Sequence, residues 1–365
     1  MRAVLVSPPT PGAKWVEDAP SPVLTPGSVR VGVLECGVCG TDRDIVSGLY
    51  GTPPQGQTSL ILGHENFGRV REVGEGVGGF RVGDYVVATV RRGCGRCHMC
   101  QNNSSDLCET GEFTERGIRG RDGYMAEEYV ETPEYLVKVP RSLRDIAVLM
   151  EPLSVVEKAV LMGERQISLW ERPARVGTHP GPYRALVVGT GAVGLLAGLV
   201  LRAEGYDVVA IDRHDDTPAS ELLTRAGVRH INVAEGMQKI APEGRFQLIV
   251  EAAGSPQLDF ELFRSLSPNG VLVLTGIPPA GATFPVSAGE ILRTAVLENQ
   301  VMAGSVNANR DYFLRGMRHL RRFRKLWGDL PGRIITARRP FSEFGEAVAA
   351  KGADTIKTVL TWSGA

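Results

Sequence analysis

Apolar positions in the first 150 residues come in short runs punctuated by glycine and proline: RAVLV, SVRVGVLEC, FGRVREV, DYVVATV and YLVKV. Such runs predict strands, and a succession of them predicts an all-β, barrel-like domain. The pattern changes at AVLMEPLSVVEKAV (147–160), where helix-forming residues take over. A linker containing Pro, Arg and Gly follows, RPARVGTHPGPYR (172–184). Beyond it, ALVVG and DVVAID flank a helical segment, GLLAGLVLRAEG. RHINV, FQLIVEAAG, GVLVLTG and QVMAGSV come next, each separated by a helix-sized stretch. Nearly continuous apolar strands alternating with helices predict a parallel sheet covered on both faces. The last 60 residues are expected to be mostly helical and to finish in TIKTVLTW, a strand returning to the first domain.

A chain of 365 residues is long for one hydrophobic core. The expected fold class is α/β: a barrel-like domain over 1–158 and 306–365, and a doubly wound parallel-sheet domain over 159–305. Lys plus Arg and Asp plus Glu number 41 each, so no global field recruits nucleic acid or an anionic membrane. The opening MRAVLVSPPTPG has its apolar run cut by prolines, unlike a signal peptide. That favours the cytoplasm, reduced cysteines, and metal ligation over disulfides. The uncharged stretch 185–201 is slightly short for a membrane span and rich in glycine, and a strand, a glycine turn and a helix start fit it better. Seven Arg, Lys or His fall within 315–325; on a neutral chain this run reads as a solvated helix face rather than a nucleic-acid surface.

Within the second domain, VVGTGAVG places Gly189, Gly191 and Gly194 as GxGxxG, directly after a strand and opening a helix. The first glycine permits the turn, the second lets a pyrophosphate approach the backbone, and the third packs helix on strand. Asp212 follows eighteen residues after Gly194, where a carboxylate hydrogen-bonds a ribose 2′-OH and favours NAD. Arg213 and His214 come next, and an arginine there accommodates the 2′-phosphate of NADP. NAD and NADP both remain open.

Four of the six cysteines, Cys94, Cys97, Cys100 and Cys108, are spaced C-x2-C-x2-C-x7-C. Four thiolates on one compact loop make a closed tetrahedral site, which reads as structural zinc. His98 between them reads as a solvated loop residue, and Cys36 as a small core residue rather than half of a redox pair with Cys39. Cys39, His64 with Glu65, and Glu151 form a dispersed set of zinc-ligand types, which spacing alone leaves speculative.

GHENFGRVREVGEGV resembles the zinc-containing alcohol dehydrogenase signature of the medium-chain dehydrogenase/reductase superfamily. CGVCGTDRDIVSG, RRGCGRC, CETGEFTERGI, EPLSVVEKA and GSVNAN together look like its glucose 1-dehydrogenase branch. The resemblance runs through essentially the whole chain. It implies a GroES-like barrel as the catalytic domain, a Rossmann domain for NAD or NADP, and two zinc ions per chain. Cys39, His64, Glu65 and Glu151 are then the catalytic zinc environment, and the cysteine lobe (91–111) holds the second ion. Thr41 sits where the family places a hydroxyl that takes the substrate's proton. Glu115, Glu151 and Asn307 would orient a sugar ring. Gly189, Thr190, Gly191, Ala192, Val193 and Gly194, Asp212 to His214, Thr275, Gly276 and Ile277, and Ser305, Val306 and Asn307 would line the cofactor. The expected substrate is a sugar or polyol, with glucose oxidised to its lactone, and the expected assembly is a homodimer or homotetramer. Two departures stand out: Val90 replaces an asparagine that contacts sugar in archaeal members, and TDRDI lacks the histidine that many alcohol dehydrogenases carry after Thr-Asp.

Overall fold

The computed structural model describes residues 1–169, 182–279, 281, 283–350 and 352–362. The linker expected at 172–184 lies, up to residue 181, outside the described residues. The chain divides into two compact units, one of Met1–Ser154, Asn307–Arg321 and Ile335–Ala365, the other of Val155–Val306 and Arg322–Ile334.

In chain order the first unit opens with β1 (Ala3–Ser7), β2 (Thr10–Val16), β3 (Val29–Val38), α1 (Gly40–Val46), β4 (Leu60–Ile61), β5 (Glu65–Val73) and β6 (Tyr85–Ala88). After these come β7 (Arg91–Arg92), α2 (His98–Gln101), β8 (Thr114–Arg116), β9 (Gly120–Arg121), β10 (Glu128–Glu131), β11 (Leu136–Val139) and the long α3 (Met150–Ser168), which from Val155 on belongs to the second unit, four residues earlier than the boundary expected after 158. The second unit alternates: β12 (Arg184–Val188), α4 (Ala192–Ala203), β13 (Asp207–Asp212), α5 (Pro218–Arg225), β14 (Arg229–Asn232), β15 (Phe246–Glu251), α6 (Pro256–Glu261), β16 (Leu266–Leu274), α7 (Ala288–Leu297) and β17 (Val301–Gly304). The chain closes with α8 (Arg310–Trp327), β18 (Ile335–Pro340), α9 (Phe344–Ala349) and β19 (Lys357–Thr361).

In the first unit the main sheet runs β11-β6-β5-β3-β19-β18, with β10 also paired to β3. Its valine-rich strands bury Val29, Val31, Val33, Val70, Val86 and Leu360 in one core cluster. β19 lies antiparallel against β3, so the TIKTVLTW segment is a central strand of the first unit. β18 was not expected: ITARRP carries two arginines and a proline, and no apolar alternation announces it. The expected mostly helical tail is therefore a helix followed by a strand pair.

The second unit's sheet has the order β14-β13-β12-β15-β16-β17, every pair parallel. Numbered from β12, this is the 3-2-1-4-5-6 order of the doubly wound dinucleotide fold. Residues 322–334, placed with the barrel by the sequence, pack in this unit instead. Arg322 pairs with Glu204, Arg333 pairs with Glu221, and Leu330 and Ile334 are buried. α8 is amphipathic, burying Phe313, Leu320 and Phe323 while Arg318, Arg321, Arg322 and Lys325 stay exposed. No helix among the described residues is long and apolar enough to cross a membrane.

Candidate active site

Cys39 is the N-cap of α1, with extended backbone (φ −131°, ψ −174°), and its sulfur accepts the Thr41 N–H at 3.3 Å. Asp42 closes the capping box, one carboxylate oxygen accepting the Cys39 N–H at 2.9 Å. The other oxygen stands 3.3 Å from His64 Nδ1, an electrostatic contact not aligned as a hydrogen bond. With Nδ1 turned to Asp42, His64 presents Nε2 to Cys39 Sγ, 3.1 Å away. A negative charge at this distance from Nδ1 favours a proton on that nitrogen and leaves Nε2 as the atom for a metal.

His64 leads into β5, whose first residue, Glu65, stands opposite Gly37 of β3. A Cβ on Gly37 would come within 2.0 Å of Glu65 Oε2, so a glycine there makes room for the carboxylate. Lys357, at the start of β19, donates to both Glu65 oxygens at 2.6 and 2.8 Å. Cys39, His64 and Glu65 offer ligand atoms within 4.8 Å of one another. Thiolate, imidazole and carboxylate at that spacing suit one zinc ion with a position left open. Glu151 lies outside this triad but within electrostatic reach of His64 and Glu65. Burial, reinforced by the charge of Glu65, pushes its carboxyl up to about 7. Burial alone would push the His64 pKa down, but the charges of Cys39 and Asp42 outweigh it and raise it.

In the lobe, the ligand atoms of Cys94, Cys97, Cys100 and Cys108 likewise fall within 4.8 Å of one another, and all four cysteines are free. Backbone amides of Cys97 and Cys100 point at the sulfurs of Cys94 and Cys97, at 3.4 and 3.5 Å. Together with a hydrogen bond from Thr110, such amides bring the Cys94 thiol down to about 6. The donor set therefore fits a structural zinc. His98 opens α2 and is exposed, and Cys36 is fully buried in the core cluster.

Glu115, on β8, accepts from Arg91 and from Asn307 Nδ2 at 2.7 Å, all within the first unit. Val90 is 2% exposed and belongs to the core cluster, so it presents no polar atom there. Tyr50 is half-exposed and feels the charge of Glu115.

In the second unit, Gly189 turns with φ +86°, and a Cβ on Gly194 would sit 1.9 Å from the Gly189 carbonyl oxygen. A Cβ on Gly191 would meet nothing within 4 Å, and no side chain caps α4 there. Ala192, Val193 and Gly194 form its first turn, leaving amides for an anion to meet. Asp212, at the carboxyl end of β13, accepts from Thr190 N and Oγ1 at 2.9 and 2.6 Å. Arg213 and His214 follow, both exposed. Thr275 bonds the Glu251 carbonyl, a Cβ on Gly276 would meet Gly254, and Ile277 is 72% exposed beside Gly254. Ser305 is 8% exposed with an unpartnered hydroxyl, and Val306 offers its carbonyl to Lys158.

Sequence reasoning missed Asp42, Arg91, Tyr50 and Lys357. Asp42 could have been found, since an acid three residues after Cys39 is a capping-box signal. Lys357 carries no local signal.

A doubly wound dinucleotide sheet, a buried thiolate–imidazole–carboxylate cluster and a four-cysteine lobe on one chain define a zinc-containing dehydrogenase. The alcohol dehydrogenase GroES-like domain model matches residues 25–141, and the glucose dehydrogenase C-terminus model matches 144–362. Glucose 1-dehydrogenase of Methanocella arvoryzae is 40% identical, with 93% of each chain covered. That of Thermoproteus tenax is 41% identical, with 99% of each covered. The solved structure of Haloferax mediterranei glucose dehydrogenase in complex with NADP, Zn and gluconolactone superposes with a TM-score of 0.88, at 30% identity and 100% coverage of both chains. The chain belongs to the glucose dehydrogenase branch of the medium-chain dehydrogenase/reductases, zinc-dependent oxidoreductases that use a nicotinamide dinucleotide.

Proposed function

We propose that this enzyme oxidises the C1 hydroxyl of an aldose, D-glucose first, to the aldonolactone with NAD or NADP. The observation that carries the reading is the buried Cys39–His64–Glu65 cluster, backed by Asp42 and Lys357, in a chain whose full-length relatives are glucose 1-dehydrogenases. Zinc held by Cys39, His64 and Glu65, with Glu151 as an exchangeable carboxylate, supplies Lewis acidity toward a hydroxyl, and the nicotinamide is the hydride acceptor.

The remaining work falls to the chain. Asp42, facing Nδ1 of His64, favours the tautomer with its proton there and turns Nε2 toward the metal-binding cluster. Thr41, whose amide is tied to Cys39, takes the proton of the C1 hydroxyl on its own hydroxyl and passes it to solvent. As that O–H bond breaks, C1 loses its hydrogen as hydride and the C1–O bond becomes the lactone carbonyl. Glu115, Glu151 and Asn307 orient the ring through its other hydroxyls. Gly189 to Gly194 cradle the pyrophosphate. Asp212, Arg213 and His214 meet the adenosine ribose, and Thr275 to Ile277 with Ser305 to Asn307 border the nicotinamide half. The free thiols suit a reducing cytoplasm. The edge strand β17 and the exposed Leu292, Val296 and Leu297 of the preceding helix α7 support a homo-oligomer.

Initial rates on D-glucose, D-galactose, D-xylose and a set of cyclitols, each with NAD and with NADP, test the reading. Rapid glucose oxidation with matching acid release from the lactone is the expected result. Silence on every aldose, from protein holding two zinc ions per chain, overturns the substrate and moves the search to modified sugars and other polyols.

A further inference from the structure

The cysteine lobe is entered through β7 and left through β8, and these strands pair so that Arg91 stands opposite Glu115. Both side chains are buried, at 9% and 6% exposure. The Arg91 guanidinium divides its donors between two places. Nη1 donates to the Asp106 carbonyl at 2.7 Å, in the single turn Ser105–Leu107 that leads into Cys108. Nε and Nη2 donate to Glu115 Oε1 at 3.1 and 2.9 Å. Its flat face covers the ring of Phe113, 3.9 Å from the centroid. Asn307 adds a third hydrogen bond to the same oxygen. All three bonds end on Oε1, which leaves Oε2 as the acceptor open to a ligand.

We infer that Arg91 is a positioning residue that ties the four-cysteine lobe to the carboxylate of Glu115, so that order in the lobe sets the affinity for the sugar. The inference rests on reading Glu115 as a sugar contact. A structural zinc contributes folding energy to the loop that ligates it. Here that loop includes the turn whose carbonyl holds one prong of Arg91. With the turn ordered, the guanidinium plane is fixed at one end by Asp106 and along its face by Phe113. The other prongs then hold Glu115 in one rotamer before substrate arrives, and preorganisation of this kind lowers the cost of binding. Lysine could not substitute, because a single ammonium lacks the planar fork that serves both acceptors at once.

The test is a double-variant cycle in steady-state kinetics on D-glucose with the holoenzyme. Arg91→Ala should raise the KM for glucose about tenfold, the loss of one charge-assisted contact. The kcat and the cofactor KM should stay within about threefold. Arg91→Lys should recover only part of the affinity. In an Glu115→Gln background, Arg91→Ala should add less than about twofold, because it acts through the carboxylate already removed. An unchanged KM in Arg91→Ala, or independent multiplying effects in the double variant, overturns the coupling. An unmoved KM in Glu115→Gln overturns instead the sugar role of Glu115, and the two failures are therefore told apart. Should Arg91→Ala fail to fold, Arg91→Lys carries the same cycle. A second readout needs no turnover: titration calorimetry with D-glucose in the absence of cofactor. Cys108→Ser, losing one zinc per chain, should weaken glucose binding in the wild-type background and leave it unchanged in the Arg91→Lys background. Equal weakening in both overturns the link to the lobe.

Discussion

Lys357 donates to both oxygens of Glu65, the residue beside His64, from a strand 292 positions away in sequence. The two side chains are 3% and 2% exposed. Burial works against a charged lysine, but the carboxylate of Glu65 outweighs it and raises the Lys357 pKa. The lysine thus neutralises the one carboxylate of the Cys39–His64–Glu65 cluster.

Removing one partner of a buried pair strands the other charge, at a cost of about 3–5 kcal/mol. Lys357→Met should therefore lower stability by that amount in guanidinium unfolding, with at least a tenfold drop in turnover. The double variant Glu65→Gln/Lys357→Met should regain most of the stability, since no buried charge is left alone, while activity stays low. A single variant as stable as wild type would show that Glu65 finds compensation elsewhere.

A buried carboxylate between two arginines predicts acid sensitivity. Glu131 lies between Arg92 and Arg116, accepting from Arg116 Nη2 at 3.0 Å and from Arg92 Nη2. Burial alone would raise its carboxyl, but the two guanidinium charges hold it down to about 2. A depressed carboxylate stabilises the fold above its ordinary range near 4.5, and the contribution is lost as pH falls from there toward 2. The linked stability is on the order of 3 kcal/mol. Urea unfolding of wild type and Glu131→Gln should therefore differ most at pH 6, keep roughly a quarter of that gap near pH 2.5, and converge only below the folded-state pKa of about 2. A gap that does not change with pH would rule out this ionisation as the cause.

The parts of the site legible in the sequence are those made by neighbours along the chain. The GxGxxG turn needs only β12, three glycines and the first turn of α4, and the cysteine lobe needs one loop. The Rossmann strands announce themselves as apolar runs because both faces of a parallel sheet are covered. The pairs that brace the site join distant segments: Lys357 with Glu65, and Asn307 with Glu115 across 192 positions. No spacing rule reaches that far. β18 escaped for a different reason, since the charges of Arg338 and Arg339 hide a strand held by its pairing to β19. Residues 322–334 read as part of the tail, yet their partners Glu204 and Glu221 lie on the second unit.

Cys39→Ala tests the assigned metal chemistry most directly. Turnover should fall by roughly a thousandfold or more, the several kcal/mol that a Lewis acid contributes. Cofactor affinity, read by nicotinamide fluorescence, should stay within about twofold, because the dinucleotide-binding turn belongs to the other unit. Substantial residual turnover in zinc-loaded protein would sink the assignment of Cys39.

Two glycines of one motif should fail in opposite ways. A methyl on Gly194 meets the Gly189 backbone, which cannot swing aside, so Gly194→Ala should cost about 1–3 kcal/mol of stability or more. A methyl on Gly191 meets nothing, and the backbone there (φ −63°) suits any residue. Gly191→Ala should leave the melting temperature unchanged or slightly higher. Its cofactor Kd should nevertheless rise at least about tenfold, because the methyl stands where the pyrophosphate approaches. Unchanged cofactor affinity in that variant would mean the phosphates lie elsewhere.

On the proposed reading of the dinucleotide site, cofactor choice turns on Asp212 and the residue after it. Hydrogen bonds from Thr190 overcome the effect of burial and hold the Asp212 carboxyl below its usual range, so it is ionised at neutral pH. An anion anchored there accepts from a ribose 2′-OH and repels a 2′-phosphate. Arg213, whose N–H donates to Asp212 Oδ1 at 2.6 Å, is exposed on the loop that follows. Its guanidinium supplies the opposite preference. Arg213→Ala should cut kcat/KM for NADP by about 10- to 100-fold, the worth of one charge-assisted bond, and change that for NAD by less than about threefold. Asp212→Asn should narrow the gap from the other side by removing the repulsion. An unchanged kcat/KM for NADP on replacing Arg213 would place that side chain away from the 2′-phosphate and leave the selection to Asp212 alone.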